Sequence, residues 1–520
     1  MGLLEEIDEQ IETIQKRRTS VAEYFKGTGN TKAAEKIEHI SKSVNEQKFC
    51  LNAKNLKELK MAVIMDGFTL ASYGPECSLL ELTPDEWKDQ LEMYKPDLLF
   101  IESAWEGKDK KWYRKIDRSS SEIYELTTYC HEKRIPIVFW NKEDPIYTDQ
   151  FMTTASMADY VFTTDIDCVQ RYKTELGHDN VFHLHFAAQP TIHNPIEKYT
   201  RKDKFCFAGA YYHRYPKRAE VFDKFSEVFI ETKGLDIYDR NYGNARPEHA
   251  FPKSYSKYIL GSLPSSQIDK AYKGYVYGIN MNSVQQSQTM FARRAFEMLA
   301  SNTITVGNFS RGIKNYFGDL TICTDDKETL QNKLDTYCSD EITAEKYRLA
   351  GLRKVLSDHL YEDRLDYIVE KVFGVSLKQK SPKIAVLAIC KNEEEKANVV
   401  KSFKRQLYER KVLHIISDTE ESEEQQTDGI EYIKSDMAKL KICGELDADY
   451  IAVISPEDFY GENYLVDLAL TLRYGNFSVI GKGNYFCNSL ENEITLDNTV
   501  RPYTITKELY AVRSIVSIQH

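Results

Sequence analysis

Short segments rich in apolar and β-branched residues alternate with helix-forming segments along most of this chain, and this alternation restricts the fold more than any other feature. The first such segments after residue 60 are MAVIMD, DLLFIES, IPIVFWN, DYVFTTD and VFHLHFA. Helix-forming stretches such as EWKDQLEMY and SEIYELTTYCHEK lie between several of them. Strands that alternate with helices predict a parallel sheet with crossover helices, and therefore an α/β fold.

The same alternation occurs twice more along the 520 residues, which are too many for one ordinary hydrophobic core. A second set of strand-like segments follows Asn194-Pro195: KFCFAGA, LDIYD, GYVYGINM, NTITVG and LTICTD. A third set follows the polar linker at 376–383: KIAVLAIC, VLHIISD, IEYIKS, DYIAVIS and FSVIGK. We therefore predict α/β domains at 56–192, 193–375 and 382–520.

The N-terminal 1–55 region has a different pattern. Leu4, Ile7, Ile11 and Ile14 follow one another at three- and four-residue steps, and similar spacing returns after a glycine-containing break. This periodicity predicts two helices. A hairpin packed on its own chain and a coiled coil that forms a homodimer explain it equally well.

The composition excludes several classes of protein. The formal net charge of -11 argues against a nucleic-acid-binding protein. The ten cysteines include no CxxC pair, so we expect neither a zinc framework nor disulfides, as in a reducing cytoplasm. The acidic start MGLLEEIDEQIE is unlike a signal peptide, and no segment approaches the length of a membrane span. We expect a cytoplasmic protein without a tightly bound cofactor or metal.

Two basic stretches are candidate ligand sites, because ligands of parallel sheets bind beyond the carboxyl ends of the strands. In KFCFAGAYYHRYPKR, Gly209 permits close approach of the backbone, and Arg214 and Arg218 can neutralise phosphate. The alternative is a turn followed by a solvated basic helix. In MFARRAFE, Arg293 and Arg294 lie one helical turn before Glu297. They suit an anion near a helix start, or else a salt bridge worth about a few tenths of a kcal/mol.

These stretches carry a family resemblance. FEMLASNTITVGNFSRGIKNYFGD resembles the nucleotide-sugar-binding segment of group 1 GT-B glycosyltransferases. The wider ordered set resembles the CgeB-like spore-maturation glycosyltransferases: DGFT, ESAW, FWNKEDP, FTTD, AGAYYHRYPKR, IYDRNYG and MFARRAFE. The resemblance implies a GT-B fold of two Rossmann-like domains. The first would hold the acceptor, and the second would bind a nucleotide-diphosphate sugar, with a UDP-sugar as the expected donor, without a metal.

The resemblance also implies roles for individual residues. Glu297 falls on the glutamate that contacts the ribose, while Arg293 and Arg294 would stabilise the departing diphosphate. The other expected donor-binding residues are Gly209, Tyr211, Arg214, Arg218, Arg240, Ser310 and Arg311. An inverting enzyme also needs a base for the acceptor hydroxyl, for which the strand ends of the first domain offer Asp66, Glu102, Glu143 and Asp144. Asp66 and Asp144 could instead be a helix cap and a turn former.

The sequence departs from the family at two positions of the donor segment. Thr289 stands where many retaining relatives carry a glutamate that contacts the donor sugar, and Ser301-Asn302-Thr303-Ile304 replaces the usual small turn. The stereochemical outcome therefore stays open. His183, His185 and His193 raise the alternative of a metal site, but no nearby Cys or carboxylate completes a ligand set, which favours a structural role.

The C-terminal domain resembles the nucleotide-binding half of GT-A transferases. In ADYIAVISPEDFYGENYLVDLAL, Ser455 and Pro456 stand where metal-binding aspartates are expected, which leaves Glu457 and Asp458. We interpret it as a degenerate transferase domain that serves as a scaffold or binds the acceptor.

Together these features predict a glycosyltransferase that acts on a glycan, a polyol-phosphate polymer or a surface protein. The alternatives are a nucleotide-sugar epimerase on the same fold and a catalytically silent assembly or coat protein.

Overall fold

The structure is a computed structural model that describes residues 49–118, 120–244, 246–417, 429–434, 446–488 and 493–518. The helical hairpin or coiled coil predicted within 1–55 lies outside these residues except for its last few positions. The described chain divides into two compact units. The first contains the residues up to Phe186 with Val284–Met290 and Tyr361–Lys378, and the second contains Ala187–Ser283, Phe291–Leu360 and the residues from Gln379 onward.

The first unit is built on a six-stranded parallel sheet with the order β2-β1-β3-β4-β5-β6. Its strands are β1 (Lys60–Ile64), β2 (Ser78–Glu81), β3 (Leu98–Glu102), β4 (Ile137–Asn141), β5 (Tyr160–Thr163) and β6 (Val181–His183). Its helices are Gly67–Tyr73, Trp87–Tyr94, Ser121–Lys133, Thr148–Ala155, Ile166–Leu176 and Tyr361–Phe373. Every residue of β3 and β4 is buried, as their continuous apolar sequences predict for central strands covered on both faces.

The second unit contains a similar six-stranded parallel sheet with the order β12-β11-β10-β7-β8-β9. Its strands are β7 (Lys202–Gly209), β8 (Leu235–Asp239), β9 (Ile259–Gly261), β10 (Tyr275–Asn280), β11 (Ile304–Gly307) and β12 (Ile322–Cys323). Its helices are Pro216–Thr232, Asp269–Lys273, Arg294–Ala300, Arg311–Phe317, Lys327–Tyr337 and Glu341–Asp358.

The C-terminal region adds a third sheet, with the order β15-β14-β13-β16-β20-β17. Its strands and those of a separate hairpin are β13 (Ile384–Ile389), β14 (Lys411–Ser417), β15 (Ile430–Lys434), β16 (Tyr450–Val453), β17 (Val479–Gly481), β18 (Tyr485–Asn488), β19 (Ile494–Asp497) and β20 (Ser514–Ser517). β13 to β16 are parallel, whereas β20 is antiparallel to both β16 and β17. The helices among the described residues of this region are Glu393–Arg405 and Tyr464–Thr471.

Asp467 joins this third sheet to the second sheet within the same unit. Its carboxylate accepts hydrogen bonds of 2.6 and 2.9 Å from Arg353 and one of 2.6 Å from Lys482. Burial raises the pKa of Asp467, but the two cations outweigh burial and hold it below its ordinary value. The resulting charge network is a buried contact between the C-terminal region and helix Glu341–Asp358.

The predicted α/β class with two Rossmann-like sheets, the components of a GT-B fold, is confirmed. Two segments far along the sequence nevertheless pack in the first unit, namely Val284–Met290 and the helix Tyr361–Phe373. In the latter, the Tyr361 ring packs edge-on against Tyr73 with the centroids 4.9 Å apart. None of the helices that the structure describes combines the length and the apolar character that a membrane span requires.

Candidate functional site

The carboxyl ends of β7 and β8 meet at Gly209 and Asp239, which are paired in register. A Cβ atom added to Gly209 would lie 2.8 Å from Cζ of Phe207 and 3.3 Å from Nη1 of Arg294. The next chain segment continues this packing, because the amide of Arg240 donates to the Gly209 carbonyl at 2.9 Å. Glycine is therefore required here so that the Arg294 side chain can lie against the end of β7.

Guanidinium groups concentrate beside this strand end. Arg294 donates from Nη1 to the Ala208 carbonyl at 3.1 Å, and its Cζ lies 5.9 Å from the centre of the Phe207 ring. Arg218, on the first turn of helix Pro216–Thr232, is buried with its Cζ 4.9 Å from the centre of the Tyr212 ring. These contacts orient both cations without neutralising them.

The electrostatics of this group favour an anion. Burial, together with the charges of Arg294 and Arg240, lowers the pKa of Arg218 to about 10. Burial also lowers the pKa of Arg294, with Arg240 and Arg293 acting in the same direction. The Nε atoms of Arg218 and Arg294 are buried without a hydrogen-bond partner among the described residues. Buried donors with uncompensated positive charge form a site that a diphosphate would satisfy.

Glu297 lies in helix Arg294–Ala300 with donors on both of its carboxylate oxygens. The Tyr272 hydroxyl donates to Oε2 at 2.8 Å, Arg293 donates to Oε1, and Nε2 of His193 lies 4.0 Å from Oε1. Burial raises the pKa of Glu297, but Arg293, His193, Tyr272 and Arg294 together outweigh burial and hold it below its ordinary value. The two neighbouring arginines thus differ, since Arg293 pairs with Glu297 whereas Arg294 contacts β7.

The other residues that the sequence predicted to bind the donor do not gather in one group. The Tyr211 hydroxyl donates to Asp223 at 2.9 Å, so it is already engaged in the core. Arg214 is exposed, with its Cζ 4.8 Å from the centre of the Tyr215 ring. Ser310 is buried and caps helix Arg311–Phe317, and Arg311 is exposed. The structure therefore brings together Gly209, Arg218, Arg240 and Arg294, while it gives Tyr211 and Ser310 structural hydrogen bonds.

In the first unit, Asp66 and Glu102 share the ammonium group of Lys142. The Nζ atom lies 2.6 Å from Oδ2 of Asp66 and 2.7 Å from Oε1 of Glu102. Oδ1 of Asp66 also accepts from the amides of Glu106 and Gly107 at 3.0 and 3.1 Å. Burial alone raises the pKa of Asp66, but Lys142 and these amides hold it below its ordinary value.

Glu102 is more enclosed than Asp66. It is buried, and it accepts from the Thr69 hydroxyl at 2.6 Å and from the Asp66 amide at 2.7 Å. Burial raises its pKa, and the Lys142 ammonium only partly opposes that rise. Of these two carboxylates, only Asp66 keeps part of its side chain exposed, 16%.

Asp144 lies in a separate buried group of neutral donors. It accepts from the hydroxyls of Thr148 and Thr163 at 2.6 Å each, from Nδ2 of Asn141 at 2.9 Å and from the Tyr172 hydroxyl at 3.3 Å. Burial raises the pKa of Asp144 to about 6, and the hydroxyl donors oppose this rise. Its neighbour Glu143 is half-buried.

Thr289 and His185 make structural contacts in the first unit. The Thr289 hydroxyl accepts from the Ile166 amide at 2.9 Å and donates to the Thr164 carbonyl at 3.0 Å. The Thr289 carbonyl lies 2.6 Å from Nε2 of His185. β6 ends at His183, so His185 lies beyond the strand, and the two rings are 6.1 Å apart. The residues that the structure describes contain no group of three His, Cys, Asp or Glu side chains able to hold a metal.

In the C-terminal region, the loop after β16 is fixed by Tyr460. Its hydroxyl accepts from the Ser455 amide at 3.0 Å and donates to the Val512 carbonyl at 2.8 Å. Glu457 and Asp458 are exposed on this loop. The GT-A resemblance of this region stays a prediction.

The sequence did not predict three neighbours of the candidate residues, although His193 was considered there as a metal ligand. Lys142 immediately follows β4 in FWNKEDP, so the rule that selected the adjacent carboxylates could have found it. Tyr272 and His193 gave no such signal, because their proximity to Glu297 depends on how distant segments of the second unit pack.

Comparison with known proteins identifies a glycosyltransferase-like segment in the sequence. Residues 229–370 match a family described as glycosyl transferase-like, a range that includes Arg294 and Glu297. No curated protein matches the sequence.

Several solved structures are similar at low identity. A TarM variant from S. aureus in complex with fondaparinux, α-GlcNAc-glycerol and UDP is 11% identical with a TM-score of 0.37, covering 54% of this chain and 57% of that one. Another TarM structure is 10% identical with a TM-score of 0.37, covering 54% and 56% of the respective chains. A UDP-N-acetylglucosamine 2-epimerase is 11% identical with a TM-score of 0.32, covering 56% and 91%. This chain thus spans a little over half the length of the TarM chains it matches.

Proposed function

We propose that this protein is a glycosyltransferase that uses a nucleotide-diphosphate sugar, with a UDP-sugar as the donor we favour. The observation that carries the proposal is the pair of buried, unpartnered Nε donors of Arg218 and Arg294 beside Gly209. The match of residues 229–370 to a glycosyl transferase-like family supports the same function. The acceptor is a glycan, a polyol-phosphate polymer or a surface protein.

In this mechanism the arginines stabilise charge that develops as the glycosidic bond to the diphosphate breaks. The leaving diphosphate gains negative charge, and Arg218, Arg240 and Arg294 already repel one another where it would bind. Guanidinium groups can supply this stabilisation without a metal, so we propose a metal-independent donor site. Glu297 would accept hydrogen bonds from the ribose hydroxyls.

We assign acceptor binding to the first unit, where the base candidates lie. Asp66 is the strongest of them, because its ionised carboxylate is partly exposed while Glu102 and Asp144 are buried. Lys142 would keep Asp66 ionised, and the amides of Glu106 and Gly107 would fix its orientation. A carboxylate of lowered pKa is a weak base. It suits a step in which the acceptor hydroxyl gives up its proton after the diphosphate has departed.

Isothermal titration of the full chain with UDP and UMP tests the donor site. We expect UDP to bind more tightly than UMP, because the arginine group contacts the second phosphate. Arg294→Lys should lower UDP affinity at least tenfold, since a single ammonium cannot reproduce the planar set of donors.

Arg201→Lys is the matched control. Arg201 is also an arginine of the second unit with only 9% of its side chain exposed, but it pairs with Glu197 and contacts the Ser301 carbonyl. Arg201→Lys should leave UDP affinity unchanged. Absence of UDP binding would refute the donor site and favour a silent assembly protein. UDP binding with conversion of the sugar but no transfer to any acceptor would favour an epimerase.

A further inference from the structure

Glu297 is held by side chains from three separate segments of the second unit. Tyr272 belongs to helix Asp269–Lys273, His193 precedes β7, and Arg293 precedes the helix of Glu297 itself. The side chains of Tyr272, His193 and Glu297 are all buried. Such convergence on one carboxylate fixes its orientation more firmly than the Arg293 pair alone.

The hydrogen bonds of His193 identify its tautomer. The Gln189 amide donates to Nδ1 of His193 at 3.2 Å, so Nδ1 carries the lone pair. Burial lowers the pKa of His193 to about 4, with Arg293 and Lys273 acting in the same direction and Glu297 and Asp269 opposing them. The neutral ring therefore carries its proton on Nε2, the atom that lies 4.0 Å from Oε1 of Glu297.

The same contacts leave Glu297 with spare acceptor capacity. Each carboxylate oxygen can accept two hydrogen bonds, whereas Oε1 receives one from Arg293 and Oε2 receives one from Tyr272. Among the residues that the structure describes, one acceptor position thus remains on each oxygen. Two neighbouring hydroxyls on a sugar ring match that pattern.

We propose that Tyr272 and His193 are positioning residues that orient Glu297 so that its two oxygens receive hydrogen bonds from the vicinal 2′- and 3′-hydroxyls of the donor ribose. This inference rests on the proposed function, because it assumes that a nucleotide occupies the arginine site. Tyr272 fixes Oε2 by a direct hydrogen bond, and His193 presents an N–H group toward Oε1.

The test compares binding of UDP with binding of 2′,3′-dideoxy-UDP by calorimetry on the full chain. In the unaltered protein UDP should bind at least tenfold more tightly. Glu297→Gln and Tyr272→Phe should each reduce that preference at least threefold, while affinity for the dideoxy ligand changes less than twofold. Tyr275→Phe is the matched control, because the Tyr275 hydroxyl is also buried and donates to a carboxylate, Asp236, at 2.8 Å. Tyr275→Phe should keep the full preference for UDP over the dideoxy ligand.

Two variants of His193 separate positioning from packing. His193→Asn can still accept from the Gln189 amide but lacks a donor at the Nε2 position, so the preference should fall. His193→Gln can place an amide N–H near that position and should restore it. Equal losses for both ligands, or an unchanged preference in Tyr272→Phe and His193→Asn, would overturn the inference and leave a structural role only.

The outcome for the unaltered protein distinguishes this inference from the proposed function. If UDP does not bind, both fail. If UDP and its dideoxy analogue bind equally, the donor site stands and the role given to Glu297, Tyr272 and His193 is wrong.

Discussion

Arg294 lies so close to Gly209 that a Cβ atom at residue 209 would be 3.3 Å from the Arg294 Nη1. The same Cβ would lie 2.8 Å from Cζ of the buried Phe207 ring, which cannot move without disturbing the core. The glycine therefore keeps open the position of Arg294, to which the proposed function assigns the donor diphosphate.

Gly209→Ala should displace Arg294 and weaken UDP binding at least tenfold. Overpacking against Phe207 should also destabilise the second unit by about 1–3 kcal/mol. Gly461→Ala is the control, because no atom lies within 4 Å of the Cβ position there. Calorimetry and thermal unfolding measure the two effects. UDP affinity that is the same in both alanine variants would contradict this account of Gly209.

Lys142→Met should destabilise the first unit strongly. The substitution leaves Glu102 fully buried and Asp66 partly buried without their shared cation, and removing one partner of a buried ion pair costs about 3–5 kcal/mol. The four tryptophans, Trp87, Trp105, Trp112 and Trp140, all lie in the first unit. Urea unfolding followed by tryptophan fluorescence therefore reports on it selectively.

A second substitution checks the physical cause of that loss. Lys142→Met combined with Glu102→Gln should recover part of the lost stability, because the buried carboxylate is then neutral. Lys111→Met serves as the control, since Lys111 pairs with Asp85 at 2.9 Å on the exposed surface. If the surface and buried lysine variants lost equal stability, the buried charge network would not be the cause.

Asp144 should make the first unit less stable as the pH rises, which is the reverse of the usual effect of a carboxylate. Its folded pKa of about 6 exceeds the ordinary value of 3.8, so between these values the folded state binds more protons than the unfolded state. The contribution of Asp144 is therefore fully present below about pH 4 and is lost as the pH rises through about 6. Asp144→Asn removes this dependence.

The difference in unfolding free energy between the unaltered protein and Asp144→Asn should therefore fall by about 2–3 kcal/mol from pH 4 to pH 7. Urea titrations by tryptophan fluorescence measure it. Asp179→Asn, which alters an exposed carboxylate of the same unit, should give a nearly constant difference. A difference for Asp144→Asn that grows with pH would show that the sign is wrong.

The strand pattern was predictable because the central strands are buried on both faces and read as continuous apolar segments. β3 and β4 are examples. β2 and β9 were missed, since they are short edge strands whose residues are mostly half-buried and show no clear alternation. The packing of Val284–Met290 and Tyr361–Phe373 in the first unit was also missed, because a linear reading assigns each segment to the domain around it in sequence.

The candidate site was predictable only in part for a related reason. The strand-end rule selected Gly209, Arg218 and Asp66 one by one. That Arg218 and Arg294 meet depends on the pairing of β10 with β7, which are separated in sequence by β8 and β9. Sheet order is set by packing between distant segments, so the charge cluster and the Tyr272–Glu297 hydrogen bond became visible only in the structure.

Thr289→Val should destabilise the first unit, although by sequence resemblance Thr289 stands where many retaining GT-B enzymes carry a glutamate that contacts the donor sugar. Valine keeps the shape of threonine but leaves the Ile166 amide and the carbonyl of the buried Thr164 without this partner, a loss of about 1–3 kcal/mol. Thr128→Val is the control, since the exposed Thr128 hydroxyl bonds only within its own helix, to the Tyr124 carbonyl.

Thr289→Glu extends the same test to the chemistry. Because residue 289 is buried among structural hydrogen bonds, a glutamate there should lower stability further and should not increase sugar transfer from the donor. Urea unfolding and a product assay on the same preparations measure both effects. A Thr289→Glu protein that folds with unchanged stability and transfers sugar faster would mean that residue 289 belongs to the donor site and not to the packing of Val284–Met290.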